Sequence, residues 1–182
     1  MKDYAKYALA KFIDVAGGVD ARKRLQKCIY LIQTAGCDLG AKYRLHFYGP
    51  YSWDVAEATN ELTSARLLKE RSKRTQRGEQ YSYRVTAACQ KLLREYEASA
   101  EGRKALKHIE PFFNLFRELR EVDLWKLELA ATIAYYRADE GRDWPEGREQ
   151  TAGFKQIALD ARILAQAEEL ARKCVARDPV HK

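Results

Sequence analysis

Residues 43–86 have the sequence YRLHFYGPYSWDVAEATNELTSARLLKERSKRTQRGEQYSYRVT, and this stretch decides the fold. Gly49 and Pro50 mark a turn, because proline cannot continue a helix begun before it. Ser52 is placed to cap the next helix by accepting a backbone N–H. Apolar residues then recur at helical spacing, which predicts a short helix over residues 52–64.

The end of the same stretch alternates in polarity, most clearly at Tyr81, Tyr83 and Val85, and this alternation is typical of β-strands. It predicts a hairpin over residues 67–86. A helix followed directly by a hairpin is the second half of a winged helix-turn-helix. The alternating residues 43–48 predict a short strand, which we assign as the third strand of the winged-helix sheet.

The preceding residues predict two helices. The first spans residues 3–16 and ends at two glycines, and the second spans residues 21–35 with Asp20 as its cap. Cations crowd the start of the second helix, where they oppose the helix dipole, so local helix stability does not explain them. They are candidate phosphate contacts, and a solvated helix surface is the alternative. These residues are Arg22, Lys23, Arg24 and Lys27.

From Thr86 onward the pattern is helical. Thr86 is a predicted cap, and Gly102 is predicted to interrupt the helical run. Residues 122–136 are apolar around most of the helix, which predicts a buried central helix. A polar loop then leads to one last long amphipathic helix.

The predicted fold is therefore mainly α. A winged helix-turn-helix-like part with a small β-hairpin covers residues 1–100. A helical extension over residues 101–182 is expected to pack against it in one compact unit.

Charge separates the two halves of the 182-residue chain, which has a net charge of +7. Residues 1–104 hold 20 Lys and Arg against 12 Asp and Glu, whereas the remainder holds 13 against 14. A basic winged-helix half favours a polyanionic partner. No apolar stretch approaches eighteen residues, and the charged N-terminus lacks the apolar run of a signal peptide. We therefore predict a cytoplasmic protein with no membrane contact.

The sequence offers little for catalysis or metal binding. The four cysteines at positions 28, 37, 89 and 174 form no CxxC pair, which predicts buried, reduced thiols rather than a zinc site. The three histidines are scattered. No GxSxG, HExxH, P-loop or dinucleotide fingerprint occurs. An enzyme is one alternative, since His46, Tyr48 and Tyr51 follow Cys37, but nothing in the sequence brings a nucleophile, a base and an orienting group together. Packing around the turn is the favoured interpretation of these residues. We predict no catalytic residue, no metal, no cofactor and no enzymatic activity.

Several segments together carry a family resemblance: LQKCIYLIQTAG (25–36), YRLHFYGPYSWDV (43–55), SARLL (64–68), YSYRVT (81–86) and LELAATIAYYR (127–137). They resemble the YwgA-type proteins, which are distantly similar to the Panacea (SocA-like antitoxin) domain. The resemblance implies a mainly helical, winged-helix-like protein of bacteria, archaea or their mobile elements. Such relatives occur beside toxins and defence genes, and no enzymatic activity is established for them.

Between residues 69 and 77 the predicted hairpin carries five cations against the single acid Glu70: Lys69, Arg71, Lys73, Arg74 and Arg77. Such a tip can lie along a phosphate backbone or enter a minor groove. The alternative is a strand edge that its charges protect from pairing. Together with the cations of the second helix, the tip predicts a nucleic-acid-binding, DNA-regulatory protein.

The helix between turn and hairpin favours a different partner. Its outward face centres on Trp53, Glu57, Asn60 and Ser64 and is flanked by Asp54 and Glu61. Carboxylates are repelled by phosphates, so the predicted partner-binding residues of this face are Trp53, Glu57, Asn60 and Glu61. An exposed tryptophan among acids is typical of a protein interface. The alternative function is therefore a protein-interaction module that neutralises a toxin or joins a defence complex. The C-terminal helices are a candidate homodimer contact.

Overall fold

The computed structural model describes residues 1–75 and 78–175. Arg77, one of the predicted hairpin cations, lies outside these described residues. The protein is mainly α-helical with two small antiparallel sheets, which confirms the predicted fold class. Its elements are α1 (Ala5–Val15), β1 (Val19–Asp20), α2 (Arg22–Thr34), β2 (Arg44–His46), β3 (Gly49–Tyr51), α3 (Trp53–Ser64), β4 (Leu68–Thr75), β5 (Gly78–Val85), α4 (Ala87–Ala98), α5 (Ala100–Ile109), a 3₁₀ turn (Glu110–Phe112), α6 (Phe113–Glu121), α7 (Leu124–Ala138), α8 (Trp144–Lys155) and α9 (Arg162–Cys174).

The winged-helix sheet consists of the predicted hairpin and one further strand. Strands β4 and β5 pair antiparallel along their length, and β1 pairs with β5, in the order β1-β5-β4. The predicted third strand was wrong, because β2 pairs with β3 in a separate two-stranded sheet. Strand β1 completes the winged-helix sheet instead, with Val19 opposite Tyr83. Two residues are too few to show an alternating pattern.

The start of α2 differs from its predicted form. Asp20 belongs to β1 and does not cap the helix. Ala21 stands at the cap position with φ +69°, and its N–H donates to the Tyr81 carbonyl oxygen at 2.6 Å. The sheet therefore fixes the start of α2 through the backbone. The predicted caps Ser52 and Thr86 are confirmed, since each hydroxyl accepts a backbone N–H of its helix.

Two predicted features of the C-terminal half were wrong. Gly102 lies within α5 and does not break the helix; Ser99 ends α4 and caps α5. A Cβ at Gly102 would lie 1.8 Å from the Tyr96 carbonyl oxygen, so glycine permits the close contact of the two helices. The predicted last helix is two helices, because Gln156 ends α8 in the left-handed conformation at φ +53°.

One cluster of buried side chains draws on both halves of the chain. Helix α7 lies at its centre, which confirms the predicted buried helix. The Phe12 ring of α1 stacks on Phe116 of α6 with ring centroids 5.0 Å apart. All four cysteines are buried and unpaired, as predicted. Over the described ranges, no helix combines the length and apolarity needed to cross a membrane.

Candidate nucleic-acid interface

The β4–β5 ribbon has two chemically different faces. In its register Lys69 pairs with Arg84, Arg71 with Ser82, and Lys73 with Gln80. Directly opposed residues share a face, and alternate residues along a strand share it too. These pairs therefore lie together, and we call this side, defined by Lys69, Arg71, Lys73 and Arg84, the cationic face. All four cations are exposed, and those on β4 recur about 7 Å apart.

Local stability does not explain the cationic face. Lys69 and Arg84 stand directly opposite each other, and like charges at such positions destabilise a strand pair. Within the described part of the chain, Lys69, Arg71 and Lys73 form no ion pair. Among the described residues, the acid paired with this face is Asp20, whose Oδ1 lies 3.7 Å from the Arg84 Nη1 with both side chains about half exposed. The face therefore keeps a net positive charge directed at solvent.

The opposite ribbon face points toward α2. It carries Leu68 and Tyr83, each 2% exposed, at its base. Arg74 lies on this face and pairs with Glu79, so the structure separates Arg74 from the other predicted hairpin cations. The predicted hairpin cations share a stretch of the chain but not a face of the ribbon. Arg84 was not among them, although strand alternation was the signal that could have placed it opposite Lys69.

Arg22 at the start of α2 is held against that opposite face. Its Nη2 donates to the Glu70 Oε1 at 2.6 Å, and its Nε donates to the Tyr83 hydroxyl at 2.9 Å. The guanidinium carbon lies 3.7 Å from the Tyr81 ring centroid. These contacts raise the pKa of Arg22 against the opposing effect of burial. Arg22 therefore lies on the other side of the ribbon from the cationic face.

The next two cations of α2 also contact the protein. The Lys23 Nζ lies 3.0 Å from the centroid of the Tyr48 ring, and partial burial lowers the pKa of Lys23. Arg24 Nη1 donates to the carbonyl oxygen of Arg120 at 2.7 Å and to that of Val122. Arg24 thus ties α2 to the end of α6 and is not placed to reach a phosphate.

Lys27 is buried, with 1% of its surface exposed, and it is not placed to reach a phosphate. Its Nζ donates to the Pro50 carbonyl oxygen at 2.7 Å, and burial lowers the pKa of Lys27 to about 7, against the nearby Glu128 carboxylate. The Gln26 side chain bonds both the backbone N–H and the carbonyl of Ser52. Gln26 and Lys27 therefore hold the Gly-Pro-Tyr-Ser turn against α2. This contact connects the Leu-Gln-Lys sequence of α2 with the turn.

The outward face of α3 is exposed to solvent, as predicted. Trp53 is 58% exposed, and Glu57, Asn60 and Glu61 are exposed as well. Glu61 forms an ion pair with Lys6. The Trp53 ring belongs to an aromatic group around the turn: the Tyr51 ring lies 5.0 Å from it and the His46 ring lies 6.4 Å from it, between ring centroids. The signal was the density of aromatic residues around the Gly-Pro turn.

The described residues also include side chains of the types that bind metals, and four cysteine thiols. No group of three or more His, Cys, Asp and Glu side chains there is arranged to hold a metal ion. Burial raises the pKa of the Cys28 and Cys37 thiols to about 12, so both thiols stay protonated and unreactive at neutral pH.

The architecture and the ribbon define a winged-helix protein with a cationic hairpin face and an attached helical layer. No protein family model matches the chain. Over 86 residues, 47% of the chain, it is 35% identical to the uncharacterized protein YwgA of Bacillus subtilis (strain 168). The match spans about half, 51%, of that curated relative's length. The YwgA part of the predicted resemblance is supported over this span, while the similarity to the Panacea domain stays a prediction.

Proposed function

We propose that this protein is a non-enzymatic, DNA-binding regulator that contacts duplex phosphates through the cationic face of its ribbon. The observation that carries the proposal is the alignment of Lys69, Arg71, Lys73 and Arg84 on one solvent-facing side, at a cost in strand pairing. Lysine and arginine on an exposed ribbon release counterions when they neutralise phosphates. A toxin–antitoxin or phage-defence context belongs to the same proposal, on the strength of the family resemblance. A cytoplasmic location belongs to it as well, on the sequence pattern described above.

The proposed contact is weakly dependent on DNA sequence. Phosphate contacts position a protein on DNA, whereas contacts to base edges specify the sequence. Glu57 and Glu61 on the outward face of α3 disfavour insertion of this helix in a major groove. Arg24 and Lys27 are used inside the protein. The ribbon therefore supplies the main binding free energy in this account.

The test is the salt dependence of binding to a random-sequence duplex, measured by fluorescence anisotropy. The variant Lys69→Gln/Arg71→Gln/Lys73→Gln removes three contacts and should lower the log–log salt slope by roughly 2.7. A matched control, Arg94→Gln/Lys104→Gln/Lys107→Gln, removes the same charge from exposed positions of α4 and α5. It should leave the slope nearly unchanged. Equal slopes for both variants, or no binding by the wild type at low salt, would contradict the proposal.

Protein binding is the second candidate function, favoured by three exposed aromatic rings. Phe47 is 76% exposed, Trp125 is 39% exposed and Phe154 is 38% exposed, and all three line one shallow cavity. Exposed aromatic side chains are enriched among the residues that dominate interface energies. A toxin or defence-complex subunit is the proposed partner. Capture of such a partner by the wild type, and its loss in Phe47→Ala, would support this function over DNA binding.

A further inference from the structure

A cleft of about 380 Å³ opens between α2, the β2–β3 hairpin, α3 and β5. It lies in the size range of small-molecule sites. Helix α3 contributes Trp53, Ala56 and Asn60, which share one helical face and leave room beside the small alanine. The Tyr83 side chain of the ribbon also lines the cleft. Because Tyr83 lies on the ribbon face opposite the cationic face, the cleft is separate from the DNA surface proposed above.

Aromatic rings form much of the cleft wall. The Tyr51 ring stands edge-on to the Trp53 ring at an interplanar angle of 83°, and the His46 ring approaches Trp53 at the same angle. Trp53 is thus braced by two neighbours yet remains 58% exposed. A braced, solvent-facing indole offers a flat surface on which another planar ring can stack.

The charge of the cleft is biased toward positive. Arg22 and Lys23 line it, and none of its described lining residues is a carboxylate. Arg22 is paired with Glu70, and the buried Lys27 amine favours its neutral form, so Lys23 supplies the uncompensated positive charge. The Lys23 amine contacts the Tyr48 ring and forms no ion pair with any carboxylate in the described ranges. Asn60, exposed on α3, adds an amide with donors and an acceptor. This combination favours a ligand that has both a planar ring and a negative charge.

We propose that this cleft binds a nucleotide, with the base stacked on Trp53 and the phosphate near Lys23. The nucleotide is either free in solution or an unpaired residue of a single strand, since both present the same base and phosphate. This site goes beyond the proposed duplex contact and does not depend on it. The cationic face does not line the cleft, so loss of its charges should leave nucleotide binding intact.

The test uses Trp53 as its own reporter. The background Trp125→Phe/Trp144→Phe leaves Trp53 as the single tryptophan of the chain. Titration with adenosine 5′-monophosphate should quench its fluorescence in a saturable way. Adenosine, which lacks the phosphate, and ribose 5-phosphate, which lacks the base, should each bind about tenfold more weakly.

Two test variants and three controls assign the contacts by calorimetry in the otherwise unchanged chain. Trp53→Ala should weaken binding of the monophosphate about tenfold or more, because a stacking surface is lost. Lys23→Gln should weaken it about fivefold, in keeping with one lost charge contact. Trp125→Phe and Lys107→Gln should have no effect. The ribbon variant Lys69→Gln/Arg71→Gln/Lys73→Gln should also bind the monophosphate normally.

Competition by oligothymidylates of increasing length distinguishes the two sources. Affinity per strand that rises steeply with length indicates an unpaired strand, and affinity no better than that of the monophosphate indicates a free nucleotide. No saturable binding at millimolar monophosphate, with far-UV circular dichroism showing a folded protein, would overturn the nucleotide site. Binding that Trp53→Ala leaves unchanged would overturn it equally.

Discussion

Lys27 lies inside the protein with a single hydrogen bond to the Pro50 carbonyl oxygen. A buried amine of this kind is stabilised in its neutral form, and burial lowers its pKa from the ordinary 10.5 to about 7. Its contribution to folding is therefore pH-dependent. Between these two values the unfolded chain binds a proton that the folded chain does not, so stability rises with pH across this window.

We expect this rise to disappear in Lys27→Met. From pH 7 to pH 9 the unfolding free energy of the wild type should increase relative to that of Lys27→Met by about 1 kcal/mol per pH unit. Urea unfolding at each pH measures the difference. Below pH 6 both states of the wild type hold the proton, so the difference should be flat there. A constant difference over the whole range would show that the Lys27 amine keeps its ordinary pKa in the folded protein.

Gly49 illustrates a second constraint at the scale of single residues. It has φ +89°, and a Cβ added there would lie 2.6 Å from the Thr132 Oγ1 of α7. Gly141 has a similar positive φ of +69°, but a Cβ there meets nothing within 4 Å. An alanine at Gly141 would therefore introduce backbone strain alone, whereas an alanine at Gly49 would introduce backbone strain and steric overlap.

We predict that Gly141→Ala costs about 1 kcal/mol of stability, from backbone strain alone. Gly49→Ala should cost about 3 kcal/mol, because overlap with a packed side chain adds to the same strain. Thermal and chemical unfolding of the two variants provide the comparison. Equal losses would mean that the β2–β3 hairpin moves away from α7 at little cost.

At the scale of elements, the β4–β5 ribbon contains a pair of opposed like charges that also belongs to the proposed DNA-binding face. The opposed Lys69 and Arg84 weaken the β4–β5 pair and strengthen its positive potential. Lys69→Glu converts this repulsion into an attraction. It should raise stability by about 0.5 kcal/mol while it lowers affinity for duplex DNA.

Lys73→Glu is the matched control, since Lys73 lies on the same face opposite the neutral Gln80. It changes the charge of the cationic face by the same amount, so DNA affinity should fall similarly, but stability should stay nearly constant. Melting temperature and anisotropy on both variants test the pair of expectations. A stability gain of equal size in Lys73→Glu would show that the Lys69–Arg84 repulsion is not the cause.

The sequence allowed some of these elements to be predicted, for physical reasons that differ from one to the next. Ser52 and Thr86 were recognisable because capping is a local hydrogen bond between near neighbours. Strand β1 was not recognisable, since its two residues are strand only through backbone bonds to β5, more than sixty positions away. Strand alternation separates Arg74 from Lys73, but which of the two ribbon faces meets α2 is decided by tertiary packing.

In the candidate site, too, some features could be predicted from the local sequence and others could not. Exposure of Trp53 followed from the helical periodicity of α3, and the basic hairpin followed from composition. Burial of Lys27 did not follow, because a lysine near a helix start is ordinarily solvated. Its partner, the Pro50 carbonyl, lies 23 residues away, and a pattern along the chain gives no sign of that contact. The aromatic cleft likewise needs α2, α3 and the β2–β3 hairpin in place.

At the scale of the whole molecule, the two predicted halves share one buried cluster. Phe12 of the winged-helix part contacts both Phe113 and Phe116 of the extension, with ring centroids 5.8 Å and 5.0 Å apart. We therefore expect a single cooperative unfolding transition. Urea titrations of one variant that retains only Trp53 and another that retains only Trp144 would follow the two halves separately. In each variant, the unfolding curve followed by tryptophan fluorescence should coincide with the curve followed by circular dichroism. Two separate transitions would indicate two independently folding domains.

The central claim is that duplex DNA meets one specific face of the ribbon, and site-directed photocrosslinking tests it most directly. Ser82 lies on the cationic face opposite Arg71, whereas Ser72 lies on the other face in the adjacent pair, opposite Tyr81. The native thiols are all buried, so Ser82→Cys and Ser72→Cys each add one accessible thiol for a benzophenone label. We predict that the label at position 82 crosslinks to duplex DNA at low salt and that the label at position 72 crosslinks weakly. Equal crosslinking from both positions, or stronger crosslinking from position 72, would contradict the account.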